Sequence, residues 1–182
     1  MKSDNKPYNI IFVQKSSPKK SDDFLFVNIY KFFTDRKLKY IVRAEMYENE
    51  TFTIKYYASI HKKLDDKYSR LTNQYNAHKI FMVCISIFLK LLEKYPNVSF
   101  AINGSSTIDI KHDKIEGKKE NQRFRIYAYI IDKLVGHKTF EHYVFPELSS
   151  YVLVNKTNKD TDAHKDKIKD MFLDLFKFDD EV

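Results

Sequence analysis

Apolar positions recur along this chain with two periods, and the switches between them mark out the elements. Residues 8–14 (Y-N-I-I-F-V-Q) form a short apolar run that predicts a first strand, and 15–23 (K-S-S-P-K-K-S-D-D) have no periodicity and a proline, as a loop does. Three segments rich in aromatic and β-branched residues follow at 24–33, 38–47 and 51–60. They are separated by the polar turns Thr34-Asp35-Arg36-Lys37 and Glu48-Asn49-Glu50. In the last of them Phe52, Ile54 and Tyr56 alternate onto one face, so the three predict an antiparallel meander. The period then lengthens. Ile80, Cys84, Ile87 and Leu91, widened by Phe81, Phe88 and Leu92, predict a helix over 76–94 with Asn73 as its N-cap and Pro96 closing it.

The near-continuous apolar run 98–102 (V-S-F-A-I) predicts a central strand, parallel to a neighbour because a helix precedes it. The charged stretch 108–120 predicts a mobile loop or small hairpin. A second helix is expected over 121–135, burying Phe124, Tyr127, Ile131 and Leu134, with Gly136 at its C′ position. Segments 140–145 and 151–154 predict a closing hairpin around Pro146, and a last helix capped by Asp160 or Thr161 turns Ile168, Met171, Phe172, Leu175 and Phe176 inward. The expected fold is therefore a single α+β domain over 1–182, with an N-terminal strand and loop in 1–23 and a C-terminal helix with an acidic tail in 160–182. A three-stranded meander, helix, strand, helix, closing strands and helix is also a ribonuclease H-like order, an analogy that carries no activity by itself.

Charge changes this picture in one respect. The net charge is +7, but the eight acids and four lysines of 160–182 leave that segment at −4, so the first 159 residues carry +11. A basic body with an acidic tail points to an anionic partner, or to a solvated surface whose tail screens the body. The single cysteine, Cys84, falls on an apolar helix face, which excludes an intramolecular disulfide and predicts a core role. The N-terminal M-K-S-D-N-K-P-Y lacks the apolar core of a signal peptide, and the most apolar run, 80–92, is too short to span a bilayer. These features predict a cytoplasmic protein with no membrane association.

The candidate chemistry centres on the end of the central strand. Gly104-Ser105-Ser106 follows it directly, and Arg123 and Arg125 fall in the first turns of the next helix. Glycine admits left-handed or closely approached backbone, a helix start offers unpaired N–H groups, and arginines offer forked donors for phosphate. Arg123 and Tyr127 share a helix face. Gly104, Ser105, Ser106, Arg123, Arg125 and Tyr127 are therefore the expected anion-binding residues. The competing reading pairs the arginines with acids.

Other chemistries find little footing. The expected two-metal nuclease acids are missing, because the fourth strand ends Ile102-Asn103-Gly104-Ser105 and the first helix offers only Glu93, near its end. His61, His78, His112, His137, His142 and His164 are scattered without the short-range pairing of zinc sites. Gly104-Ser105-Ser106 is not the G-x-S-x-G of a nucleophile elbow. No catalytic residue, metal or cofactor is expected.

The segments Glu93-Lys94-Tyr95-Pro96-Asn97, Gly104-Ser105-Ser106, Arg123-Phe124-Arg125-Ile126-Tyr127 and Tyr151-Val152-Leu153-Val154-Asn155-Lys156 together resemble an uncharacterised family of small Bacteroidota proteins. That family carries a G-S-T-x-x-R-T-R-L-Y pattern, and the likeness spans residues 30–156. The spacer 108–122 is longer here, and Ala58-Ser59-Ile60-His61-Lys62-Lys63 replaces an N-L-A-F-G-D-like segment of the family. The resemblance implies a fold and a candidate site without an activity. The function expected from the residues is a non-enzymatic binding module for nucleic acid or another phosphate-bearing ligand. The alternative is a protein-binding component of a toxin–antitoxin, immunity or phage-defence system, and a small nucleotide-acting enzyme is the third reading.

Overall fold

The computed structural model describes residues 6–74 and 76–176. The chain is α+β, with a mostly antiparallel, mixed seven-stranded sheet and three helices. Strands β1 (Ile11–Ser16), β2 (Phe26–Phe33), β3 (Lys39–Tyr47) and β4 (Thr51–Ala58) run antiparallel in sequence order, so the N-terminal run joins the meander as its outer strand. Helix α1 (Ala77–Lys94) crosses over to β5 (Ser99–Asn103), which lies parallel to β4. A two-stranded hairpin, β6 (Ile108–Asp109) with β7 (Lys114–Ile115), precedes helix α2 (Gln122–Leu134). Strands β8 (Phe140–Phe145) and β9 (Ser150–Asn155) close the sheet, β9 lying between β5 and β8, and helix α3 (Thr161–Phe176) ends the fold.

Period-two alternation splits β2–β5 between two cores. Tyr30, Phe32, Tyr40, Val42, Ala44, Phe52 and Phe100 face α1 and α2, whose Ile80, Val83, Ile87, Phe88, Leu91, Tyr127 and Ile131 are buried against them. Phe88 and Phe100 pack at 4.2 Å between ring centroids, and both lie against Phe140. On the opposite face α3 covers only part of the sheet. Ile168 packs with Ala101, Val152 and Val154, while Met171 and Phe172 reach Phe24, Val27 and Tyr47. Asn155, buried at the end of β9, donates to the carbonyls of Pro96 and Val98 at 2.8 and 3.3 Å, tying β9 to the α1–β5 turn.

Several local expectations give way to tertiary contacts. Asn73 does not cap α1; it has a left-handed φ of 52° and donates to Asp109 at 3.4 Å, while Asn76 holds the cap position without a side-chain cap bond. Leu134 is 53% exposed, because the inward stripe of α2 runs through Ile130, Ile131 and Val135. Gly136 has no positive φ and makes no left-handed cap; Val135 is the C-cap residue. Asp160 does cap α3, accepting from Ala163 N–H at 2.9 Å. The expected inward positions Leu175 and Phe176 lie outside the described side chains, and the acidic tail 177–182 lies outside the described residues. No helix among the described residues is long and apolar enough to cross a membrane.

Phe100→Ala is expected to lower unfolding free energy by about 3–5 kcal/mol, since it opens a cavity at the centre of the aromatic cluster. Leu134→Ala is expected to stay within about 0.5 kcal/mol of the parent, as exposed positions do. Urea denaturation of the two variants checks both.

Candidate functional site

The site arises where the sheet divides. Strands β4 and β5 pair over only Thr51–Ser99, Phe52–Phe100 and Thr53–Ala101. Beyond that point β4 stays with β3 as far as Ala58, while β5 stays with β9 through Asn103. The two prongs part, and a cavity of about 490 Å³ occupies the fork, within the range of small-molecule sites. It is reached from both sheet faces, since Ile54, Tyr56, Phe81 and Tyr127 line it from the α1–α2 side and Thr53, Phe145 and Phe172 from the α3 side. A crevice beyond the carboxyl ends of parallel strands is a recurrent ligand position in mixed sheets.

Gly104 fixes the tip of one prong. A Cβ there would meet Asn121 Oδ1 and the Phe124 amide nitrogen, each at 2.7 Å, so only glycine lets β5 approach the start of α2 this closely. Its φ is not positive, so close approach alone is the requirement. Asn121 exploits the proximity: its amide donates to the Gly104 carbonyl, and its oxygen caps α2 by accepting from Phe124 N–H at 2.9 Å. Ser149 completes the clamp. Its carbonyl accepts from Gly104 N–H at 2.8 Å, its hydroxyl accepts from Asn121 N–H at 3.0 Å, and that hydroxyl donates to the Lys118 carbonyl at 2.6 Å.

Five of the six residues picked out from sequence line the cavity: Gly104, Ser105, Ser106, Arg123 and Tyr127. Arg125 does not. It lies on the other side of α2, where its guanidinium donates to the Glu120 carbonyl at 2.6 Å. Nor is the start of α2 open to an external anion. The hairpin that follows β5 folds back and places Glu116 there, its carboxylate accepting from Gln122 N–H at 2.5 Å and from Thr107 N–H at 3.3 Å. Arg123 is partly committed as well. Its guanidinium donates to the carbonyls of Tyr68 and Ser69, which hold the segment linking β4 to α1 across the mouth of the fork. That strap is also bridged to the hairpin, with Leu71 N–H on Ile108 O at 3.2 Å and Ile108 N–H on Ser69 O at 3.0 Å.

The cavity wall carries one buried polar pair. The hydroxyls of Tyr56 and Tyr127 lie 2.8 Å apart, with the Phe81 ring stacked on Tyr127 and the Arg123 guanidinium over Tyr56. Burial pushes both phenols above their ordinary pKa of 10, against the lowering influence of Arg123, so each keeps its proton at neutral pH. Cys84 also lines the wall, and burial pushes its thiol up to about 12, which makes it inert as a nucleophile. The charged lining is cationic throughout: Lys55, Lys118, Arg123 and Lys169, with no carboxylate among the described lining residues. The expected anion-binding set did not include Lys55, Lys118, Lys169 or Tyr56. Lys55 had a visible signal, a charge between Ile54 and Tyr56 in an otherwise uncharged strand.

Lys55 and Tyr68 also border a second hollow of about 520 Å³ on the sheet face that α3 leaves open. Its floor is Glu45, which is 4% exposed and held by Arg43 at 2.7 Å, Lys55 at 2.8 Å and the Tyr47 hydroxyl at 2.9 Å. Burial pushes the Glu45 carboxyl up, but the charges and hydrogen bonds of Lys55 and Arg43 outweigh it and hold the pKa below the ordinary 4.5. Among the described residues no group of three or more His, Cys, Asp or Glu could hold a metal ion.

No family model, curated protein or solved structure matches the chain.

Gly104→Ala is expected to destabilise by about 1–3 kcal/mol through overpacking against α2. Arg123→Ala should lower stability by about 1–3 kcal/mol because two strap carbonyls lose a charged donor, while Arg125→Ala should change it by less than about 0.5 kcal/mol. Thermal and urea melts of the three variants check this. The stabilisation that comes from Glu45 is complete above the ordinary carboxyl pKa of 4.5 and is lost as pH falls through its lower folded value. Glu45→Gln should therefore flatten the acid limb of the melting-temperature profile between about pH 5 and pH 2.

Proposed function

We propose that this chain is a non-enzymatic binding module for a small phosphate-bearing ligand that enters the fork between β4 and β5. One observation carries the reading: an apolar, aromatic-walled cavity whose charged lining consists only of cations among the described residues. Such a cavity favours an amphipathic anion, with the apolar body inside and the phosphate at the cationic rim. Lys118 makes no ion pair among the described residues, and its main chain is anchored by Ser149, so its ammonium is available beside Ser105 and Ser106. Within the phosphate-bearing class the cavity favours a small molecule, or the end of a single strand, over a duplex. Arg125 and the start of α2, which would have served an extended backbone, are occupied by Glu120 and Glu116.

A protein partner is the second reading, supported by β1. It is an edge strand whose Ile11, Phe12 and Val13 are exposed, a surface suited to strand addition.

Titration calorimetry with inorganic phosphate, alkyl phosphates, nucleoside monophosphates and labelled single- and double-stranded oligonucleotides, at two salt concentrations, separates these readings. At least one small organic phosphate is expected to bind, and Lys118→Ala should weaken it by about tenfold, the typical worth of a charge-assisted hydrogen bond. Duplex binding stronger than that of every small phosphate, with a steep salt slope, would favour an extended nucleic-acid surface instead. Absence of binding by every phosphate compound would remove this reading in favour of the protein partner.

A further inference from the structure

The Tyr56–Tyr127 pair narrows the ligand class, on the premise that the cavity is the binding site. Each phenol carries one O–H donor and can also accept. At 2.8 Å the two hydroxyls share one hydrogen bond, in which either is the donor. That bond uses one proton of two. No other acceptor for either hydroxyl is found among the described residues, so one O–H remains to be satisfied in the cavity wall, with spare lone pairs beside it. An alkyl chain in contact with this pair would bury the donor without a partner, which is costly in an apolar site. A flat ring presenting a carbonyl beside an N–H would complement both features, and this is the donor–acceptor pattern of a nucleobase edge. The surrounding walls suit a ring of that kind. Phe81 is stacked on Tyr127 with centroids 4.9 Å apart, and Tyr68, Phe88, Phe145 and Phe172 supply further aromatic surface. The cations lie along the same lining, so a ring at the phenols and a phosphate at the rim describe one molecule.

We infer that the fork cavity takes a nucleoside monophosphate, or a terminal nucleotide, whose base edge is read by the paired hydroxyls of Tyr56 and Tyr127.

The pairing makes a specific pattern of mutational effects. Removing one hydroxyl frees the proton of the other, so a single Tyr→Phe change need not remove the donor. Removing both abolishes it while leaving no unpaired phenol behind, a change that is close to neutral for folding. The test measures calorimetric affinities of the full chain for the four common nucleoside monophosphates and for hexyl phosphate, using the parent, Tyr56→Phe, Tyr127→Phe and the double variant. At least one nucleotide is expected to bind more tightly than hexyl phosphate. At least one single variant should stay within about threefold of the parent for that nucleotide, and the double variant should lose about tenfold or more, as expected for a base acceptor left unpaired. Hexyl phosphate should bind the double variant at least as well as the parent, which also shows that the variant is folded. Hexyl phosphate binding without detectable nucleotide binding would overturn the inference and leave the phosphate site standing. So would a double variant with unchanged nucleotide affinity. Failure of both ligand classes to bind the parent would overturn the phosphate site and this inference together.

Discussion

The short ladder between β4 and β5 governs the rest of the architecture. Parallel strands normally stay paired over most of their length, yet here three residue pairs join the four-stranded meander to the three-stranded unit of β5, β9 and β8. Each half keeps its own antiparallel ladders, which are more extensive than the junction. The halves can diverge because the helices close over the gap. Helices α1 and α2 form a continuous core with the α1-facing side chains, and α3 bridges part of the opposite face. A close-packed interior rarely leaves space of this size, so the fork is a built feature whose walls are held by independent supports.

Those supports are polar contacts placed at the rim. The clamp of Gly104, Asn121 and Ser149 ties the β5 prong to α2, and Arg123 ties α2 to the strap that leaves the β4 prong. The two prongs are thus held to the same helix, and α2 sets the width of the opening. The Tyr56–Tyr127 hydrogen bond runs from one prong to that helix inside the cavity. A rigid frame around an apolar space limits the ordering that a ligand must bring about on binding.

Charge is allotted in the same way. Many of the charged side chains are engaged within the fold and contribute little to a free field. Glu45 is surrounded by Arg43 and Lys55, Glu116 fills the amides at the start of α2, and Asp66 holds Arg70 at 2.6 Å. The cavity lining itself holds no described carboxylate: Lys55 is paired with Glu45 outside it, while Lys118 makes no ion pair among the described residues. A net charge of +7 summed over the chain does not distinguish the two situations. Partner recognition depends on where the uncompensated charge lies.

What the sequence determined by itself is the succession of elements and their buried faces. Alternation in 51–58 predicted that Phe52, Ile54 and Tyr56 share a face, and the helical stripe through Ile80, Cys84, Ile87 and Leu91 predicted the packing side of α1, because both periods follow from local backbone geometry. At Gly104 the sequence left two options open, left-handed backbone or a close approach, and it did not say that the start of α2 is what approaches. The tertiary structure decided which arginine reaches the cavity, which acid closes the helix start, and where the sheet parts. Those outcomes rest on contacts between residues 17 apart for Gly104 and Asn121, 55 for Arg123 and Tyr68, and 71 for Tyr56 and Tyr127. Periodicity carries no information across such separations. Asn73 and Leu134 show the same limit from the other side: each satisfied a local rule, and each was placed otherwise because a distant hydrogen bond or a rotated helix face was worth more than the local preference.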